Sequence, residues 1–334
     1  MSVRAMNRAA CRRVFALAIG AALTAIAAAP LQVAAQGYPN HPIKVVVTSS
    51  TGSTGDTTIR ILAPALERLL GQPIVVENAP GAGGVSGTDK MVRSAPDGYT
   101  LAVISNNHAI NPHIIRNIPF DSERDITPIS VVGSTPVVLV TNPGVPVRTT
   151  QELVDLAKRK PGTLNYGSAG NGTVLHLAGV LFTSEAGVDI KHVPYKGLAQ
   201  MTADLIGGQI DMGFAGIATV ASQVKAGKLR AIGVSTTTRS AVLPDVPTLA
   251  ESGVPGYRFE GWLALVGPVG LPENIVTRLN QSLVQALATP EVRSALAAQG
   301  VIPEGNSPQA ARRFIQDEMA KHAQLVKRSG ATMD

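Results

Sequence analysis

The amino-acid sequence predicts an α/β protein of two βα lobes joined by a hinge that the chain crosses twice. Three observations carry the prediction. Short β-branched runs alternate with longer helical runs from Ile43 onward. Two long apolar runs, near 131–141 and 258–266, bracket a self-contained middle section. The turn cluster Asn142-Pro143-Gly144-Val145-Pro146 then restarts the βα order after the first of them. One continuous sheet without a hinge is the alternative.

The elements follow in order. Residues 43–47 read as a strand and 57–70 as a helix kinked at Pro64, with Asp56 as its N-cap. Residues 74–76 form a strand, 84–94 a helix and 100–104 a strand; Asn106-Asn107-His108 ends that strand on the edge where ligands sit, a plain turn being the bland alternative. The Val-rich run 131–141 is broken by Pro136. After the turn cluster come helices 150–159, 174–186, 198–206 and 218–226, alternating with strands 164–166, 190–193, 210–214 and 229–235. The run 262–266 follows, and the tail is helical over 274–288, 290–299 and 308–327. Right-handed crossovers place the strand-to-helix loops of such a sheet on one edge, where ligands bind. The hinge reading assigns 37–137 plus 262–334 to lobe 1 and 138–261 to lobe 2.

Residues 1–36 read as a cleavable secretory signal, with Arg4, Arg8, Arg12 and Arg13 before an apolar stretch and small residues before Gln36. Cleavage is expected after residue 35 or 36, through the general or the twin-arginine export route, so the mature chain is expected outside the cytoplasm. An uncleaved N-terminal anchor is the competing reading. Four of the 29 Lys and Arg lie in this segment and none of the 23 Asp and Glu, so the remainder carries 25 bases against 23 acids, or +2. That balance, with 4% aromatic residues, argues against a nucleic-acid partner. The single cysteine, Cys11, also lies in the segment, so the mature chain has no thiol to ligate metal or form a disulfide. No later stretch is long and apolar enough to span a bilayer, and the mature chain is not expected to be membrane-embedded. A monomer is expected, with no cofactor.

The stretch Ser168-Ala169-Gly170-Asn171-Gly172-Thr173 joins a predicted strand to a predicted helix, with His176 one turn later. A glycine-rich loop at a helix N-terminus offers unpaired N–H groups and the positive dipole end to an anion. Such a loop holds a carboxylate by neutral donors; the bland reading is a simple capping turn. In the first turn the dipole disfavours imidazolium, so His176 is expected neutral, either lining the cleft or packing beneath it. Ser49, Ser50, Thr51 and Ser53 follow the first strand as a facing wall of donors or a solvated loop. Asn107, Tyr195, and Ala215 and Gly216 with their N–H groups also sit at strand ends on the ligand edge; Trp262 reads as a hinge or core residue. His108 and His113 are not spaced to share a metal, and no metal site is expected. Phosphate-loop, dinucleotide and nucleophile-elbow patterns each fail at a required glycine or lysine.

Several phrases, in order, resemble one family: Val76-Glu77-Asn78-Ala79-Pro80-Gly81-Ala82-Gly83-Gly84, Ala95-Pro96-Asp97-Gly98-Tyr99-Thr100, 164–173, His192-Val193-Pro194-Tyr195-Lys196-Gly197 and Leu243-Pro244-Asp245-Val246-Pro247-Thr248. The family is the Bug-type (TctC-like) periplasmic solute receptors of tripartite tricarboxylate transporters, and the resemblance covers nearly all of 37–334. It implies a two-lobed, type II-like periplasmic binding-protein fold that closes on a small organic acid, and a membrane permease partner of one large and one small subunit. It also implies that the loop after the first strand faces the loop 168–173, both gripping carboxylates through uncharged donors. Two departures stand out. The first loop, Thr48 to Asp56, carries Ser and Thr where the family has proline and glycine, and Ala79 replaces a frequent arginine. A sensory receptor docking on a membrane kinase would share the pocket, and an exported hydrolase using Ser168 and His176 is the third reading.

Overall fold

Parallel βα units build each flank of the molecule, and two long antiparallel strands run between them. The computed structural model describes residues 37–332, so the export reading of 1–36, with Cys11, lies outside the described residues. His41 onward forms one unit. Its elements are β1 Ile43–Val47, α1 Thr54–Leu70, β2 Ile74–Asn78, α2 Val85–Val92, β3 Thr100–Ser105, α3 Asn106–Ile114 and β4 Ile126–Thr141. Then come α4 Thr150–Arg159, β5 Asn165–Ser168, α5 Val174–Ala186, β6 Lys191–Pro194, α6 Leu198–Ile206, β7 Met212–Gly216, α7 Ile217–Lys225 and β8 Arg230–Val234. The chain finishes with β9 Glu260–Pro268, α8 Glu273–Ala288, α9 Pro290–Ala298, β10 Ile302–Pro303 and α10 Pro308–Ser329.

The strands follow the order β2-β1-β3-β9-β4-β7-β5-β6, with β10 and β8 also paired to β4. β1 pairs parallel with β2 and β3, and β5 with β6 and β7, as the helices between them allow. β4 is the shared strand. From Ile126 to Pro136 it pairs antiparallel with β9, and from Val137 to Thr141 with β7 and β8. Its partners therefore change at Pro136, where an absent N–H costs no ladder bond. The chain returns nearby, since Phe259 N–H donates to Ser235 O and Glu260 opposes Pro136.

Three expectations are corrected. α1 runs unbroken through Pro64, and Ser53 rather than Asp56 caps it, its hydroxyl accepting the Asp56 N–H. Asn106-Asn107-His108 is not a terminal turn but the first turn of α3. β4 is not interrupted by Pro136.

One core cluster joins β4, β5 and β7 to α4 and α5 around Phe182, Phe214 and Tyr257, whose rings meet at 5.9–6.2 Å. Burying each such side chain contributes about 1.5–3 kcal/mol. Ile110 and Ile114 of α3, and Leu325 and Val326 of α10, complete it. A separate cluster holds Val46, Ile104, Trp262 and Ile315. α10 thus packs against elements of both flanks, and Arg328 donates to Ser184 on α5. Among the described residues, no helix is long and apolar enough to cross a membrane.

Candidate functional site

The first wall is the turn between β1 and α1. Ser49 and Ser53 share a hydroxyl–hydroxyl bond of 2.6 Å, and the Asp56 carboxylate accepts the Gly52 N–H at 2.9 Å. Arg60 bonds Asp56 at 2.9 Å and Asn78, whose amide donates to Ser49 O at 3.2 Å. Burial raises the Asp56 pKa, but the Gly52, Asn78 and Arg60 contacts outweigh it and leave it lowered. The turn is therefore braced from behind, with Ser50 and Thr51 at its exposed tip. Beside it, Asn106 accepts the Trp262 N–H at 2.8 Å and donates to Glu260 O at 3.0 Å. This buried amide ties the start of α3 to β9 and leaves Asn107 next in line.

The second wall is the loop between β5 and α5. Gly170 (φ 132°) and Gly172 (φ 70°) take backbone conformations that a side chain disfavours. Thr173 caps α5: its hydroxyl donates to Gly170 O at 2.8 Å and accepts the His176 N–H at 3.4 Å. Ser168 is fully buried. Its oxygen lies 2.7 Å from His192 Nε2 and accepts the Gly170 N–H at 3.1 Å. His176 is buried beneath the loop, its Nδ1 accepting the Gly172 N–H at 3.0 Å. Burial and the neighbouring His192 lower the His176 pKa to about 4, so its ring is neutral. Asn171 is exposed.

An open cavity of about 380 Å³ lies against the first wall and reaches the end of the second loop only at Val174 and Leu175. Of the residues singled out in the sequence, Ser49, Ser53, Asn107 and Gly216 line it, and Trp262 forms part of its floor. Ser50, Thr51, Ser168, Gly170, Asn171, Gly172, Thr173, His176, Tyr195 and Ala215 do not, although Val174 and Leu175, next along from the loop, do. Tyr195 turns away: its N–H donates to Ser168 O, while its phenol, its pKa raised by burial and by Asp204, packs toward α6. Ala215 is buried in the β4–β7 ladder opposite Val138.

Ser105, Thr135, Ile217, Thr219, Gln299 and Gly300 also line the cavity, and sequence reading missed them. Ser105 ends β3 and Thr219 lies in the first turn after β7, a usable signal. Gln299 and Gly300 close α9, where nothing local marks a site.

Five helix N-termini reach the cavity. Thr54 and Gly55 open α1, Asn106 and Asn107 open α3, Val174 opens α5, Leu198 opens α6 and Gly216 to Thr219 open α7. α3, α6 and α7 have no side-chain cap. Each N-terminus carries roughly half a positive charge. Among the described residues, no charged side chain lines the cavity. Such a site attracts an anion through oriented dipoles and hydroxyls.

The arrangement does not support nucleophilic catalysis. The histidine bonded to Ser168 is His192, not His176, and the serine is fully buried and tied to its own loop. Among the described residues no group of three His, Cys, Asp or Glu is placed to hold a metal ion, and His108 Nε2 is bonded to Ser122 O at 2.7 Å.

Residues 58–331 match the model of the tripartite tricarboxylate transporter family receptor. Protein BugT of Bordetella pertussis is 37% identical over 312 residues, covering 93% of this chain and 95% of its own. Among solved structures, Rpa4515 of R. palustris with adipate is 31% identical, with a TM-score of 0.74, covering 88% of this chain and 99% of its own. MatC (Rpa3494) from Rhodopseudomonas palustris with bound malate is 30% identical, with a TM-score of 0.69, covering 86% and 100%. The chain therefore belongs to the tripartite tricarboxylate transporter receptor family, whose members are periplasmic solute-binding proteins of a two-domain α/β fold and not enzymes.

Proposed function

We propose that this chain is an exported receptor that captures a small organic acid in the cavity and delivers it to a permease of one large and one small subunit. The observation that carries the reading is the meeting of five helix N-termini around a cavity lined by no charged side chain. Ser49, Ser53 and Asn107 contact the acid from one side, and the N–H groups of 216–218 with Thr219 from the other. The loop 168–173 forms the edge of that second wall. Residues 37–137 with 262–334 move as one lobe and 138–261 as the other, bending where β4 changes partners and where β9 begins. Bound acid bridges both walls and shifts the population toward the closed form. Relatives that hold adipate and malate support a carboxylate ligand. Residues 1–36 direct export, and the mature chain acts as a monomer.

A thermal-shift panel of mono-, di- and tricarboxylic acids, adipate and malate included, tests this. An acid at 100 times its Kd adds about 2.7 kcal/mol of stability. Asn107→Ala and Thr219→Val should each weaken the best acid about tenfold, equivalent to about 1.4 kcal/mol. No shift with any acid, or unchanged affinity in both variants, would remove the reading. Deleting the gene should abolish uptake of the acid; loss of induction alone would point to a sensor.

A further inference from the structure

Two imidazoles lie face to face beneath the loop 168–173. The rings of His176 and His192 stack with centroids 3.9 Å apart and planes 11° from parallel, and Tyr166 packs against His192 at 4.9 Å. His176 comes from the first turn of α5 and His192 from β6. Each is bonded to a different part of the loop. The Gly172 N–H donates to His176 Nδ1, and Ser168 Oγ is paired with His192 Nε2.

The first of these bonds dictates a protonation state. A backbone amide can only donate, so His176 Nδ1 must carry no proton. A proton there would set N–H against N–H and detach the loop at Gly172. Two charged rings in this stack would also repel each other at contact.

No fixed charge offsets a proton on His176. The first turn of α5 carries no acid, and β7 carries no titratable group. β5 contributes Tyr166; on β6, Lys191 is exposed. Asp204 of α6 is engaged with Tyr195. On α10, Arg328 bonds Ser184 far along α5, and Glu318 is taken by Trp262 and Lys321, with its own backbone carbonyl on His322.

We infer that His176 and His192 are positioning residues: their uncharged stack latches the loop 168–173 in its ligand-ready shape, and protonation of His176 releases it. The inference rests on the reading of that loop as the edge of the second wall of the ligand site. It makes acid pH weaken capture through the protein as well as through the ligand. Burial and His192 together lower the His176 pKa to about 4, and burial lowers that of His192, which places release on the acid side of neutral.

Hydrogen exchange of the unliganded protein tests the latch without any ligand. Protection of the peptide covering 168–175, corrected for the pH dependence of intrinsic exchange, should fall about tenfold between neutral pH and pH 4. In His176→Asn, whose side-chain oxygen accepts from Gly172 but does not titrate, that pH dependence should vanish. His176→Phe, which keeps the ring and loses the acceptor, should show low protection already at neutral pH. Equal pH profiles in the wild type and His176→Asn overturn the latch. The link to capture is read with adipate, as the ratio of wild-type to His176→Asn affinity across the same range; adipate's own titration cancels in that ratio. A ratio that falls with pH supports the inference, and a flat one overturns it while leaving the receptor reading intact. If protection behaves as described but no acid in the panel binds, the latch stands and the ligand-site reading fails.

Discussion

Gly300→Ala tests whether the two flanks must close on each other for capture. Gly300 follows α9 with φ +72° and leads into β10, which pairs with the first part of β4. Ala218 lies in the first turn of α7, on the opposite flank, and both residues line the cavity. A Cβ added at Gly300 would stand 2.8 Å from Ala218 Cβ. Carbon atoms prefer about 3.5–4.0 Å, so the pair must part by roughly 1 Å. Two costs separate. The left-handed backbone costs about 1–2 kcal/mol in any state of the cleft. Overpacking costs about 1–3 kcal/mol, and opening the cleft relieves it, so that part falls on the closed form alone. It should weaken the best acid by about five- to 150-fold. Gly305→Ala is the control: φ is +79°, but its nearest neighbour would be Leu287 Cδ1 at 3.4 Å. Both variants should melt lower, and only Gly300→Ala should lose affinity. Trp262, the single tryptophan of the chain, lines the cavity, so titration followed by its emission reads the difference. Equal affinities in the two variants would refute closure at this contact.

The first wall has its own test. Asp56→Asn should cost about 1–3 kcal/mol at neutral pH by weakening the acceptor for Gly52 and Arg60. Because the Asp56 pKa is lowered on folding, its contribution is full above the unfolded value near 3.8 and is lost as pH falls through the folded one. Calorimetry should therefore find the gap between variant and wild type closing below about pH 4. Tyr257→Phe should keep the ring cluster but lose the bond from the phenol to Ala178 O at 3.0 Å. Urea unfolding should show a loss of about 1 kcal/mol, and an unchanged midpoint would mean that this buried hydroxyl contributes nothing net.

The βα rhythm was legible because each unit carries its own signals. α4, α5 and α6 run over the residues that periodicity assigns them, and Thr149 and Thr173 cap the first two through bonds three residues away. Local chemistry sufficed there. It misled at Asp56, where two capping candidates three residues apart compete and the Gly52 N–H draws the carboxylate back, leaving Ser53 as the cap. It also misled at 106–114. Three asparagines and Pro112 make a poor helix, yet α3 forms because Asn106 is held by Trp262 and Glu260 more than 150 residues away.

The placement of a glycine-rich turn at a helix N-terminus was set by the order of residues alone, because dipole and capping are properties of neighbours in the chain. Which side chains face the cavity was decided only by tertiary packing. Ser168 and His176 turn inward because β6 brings His192 beneath the same loop, and Thr219, Gln299 and Gly300 reach the cavity because β4 joins two flanks into one sheet. Contacts between segments far apart in sequence leave no periodic trace in either segment.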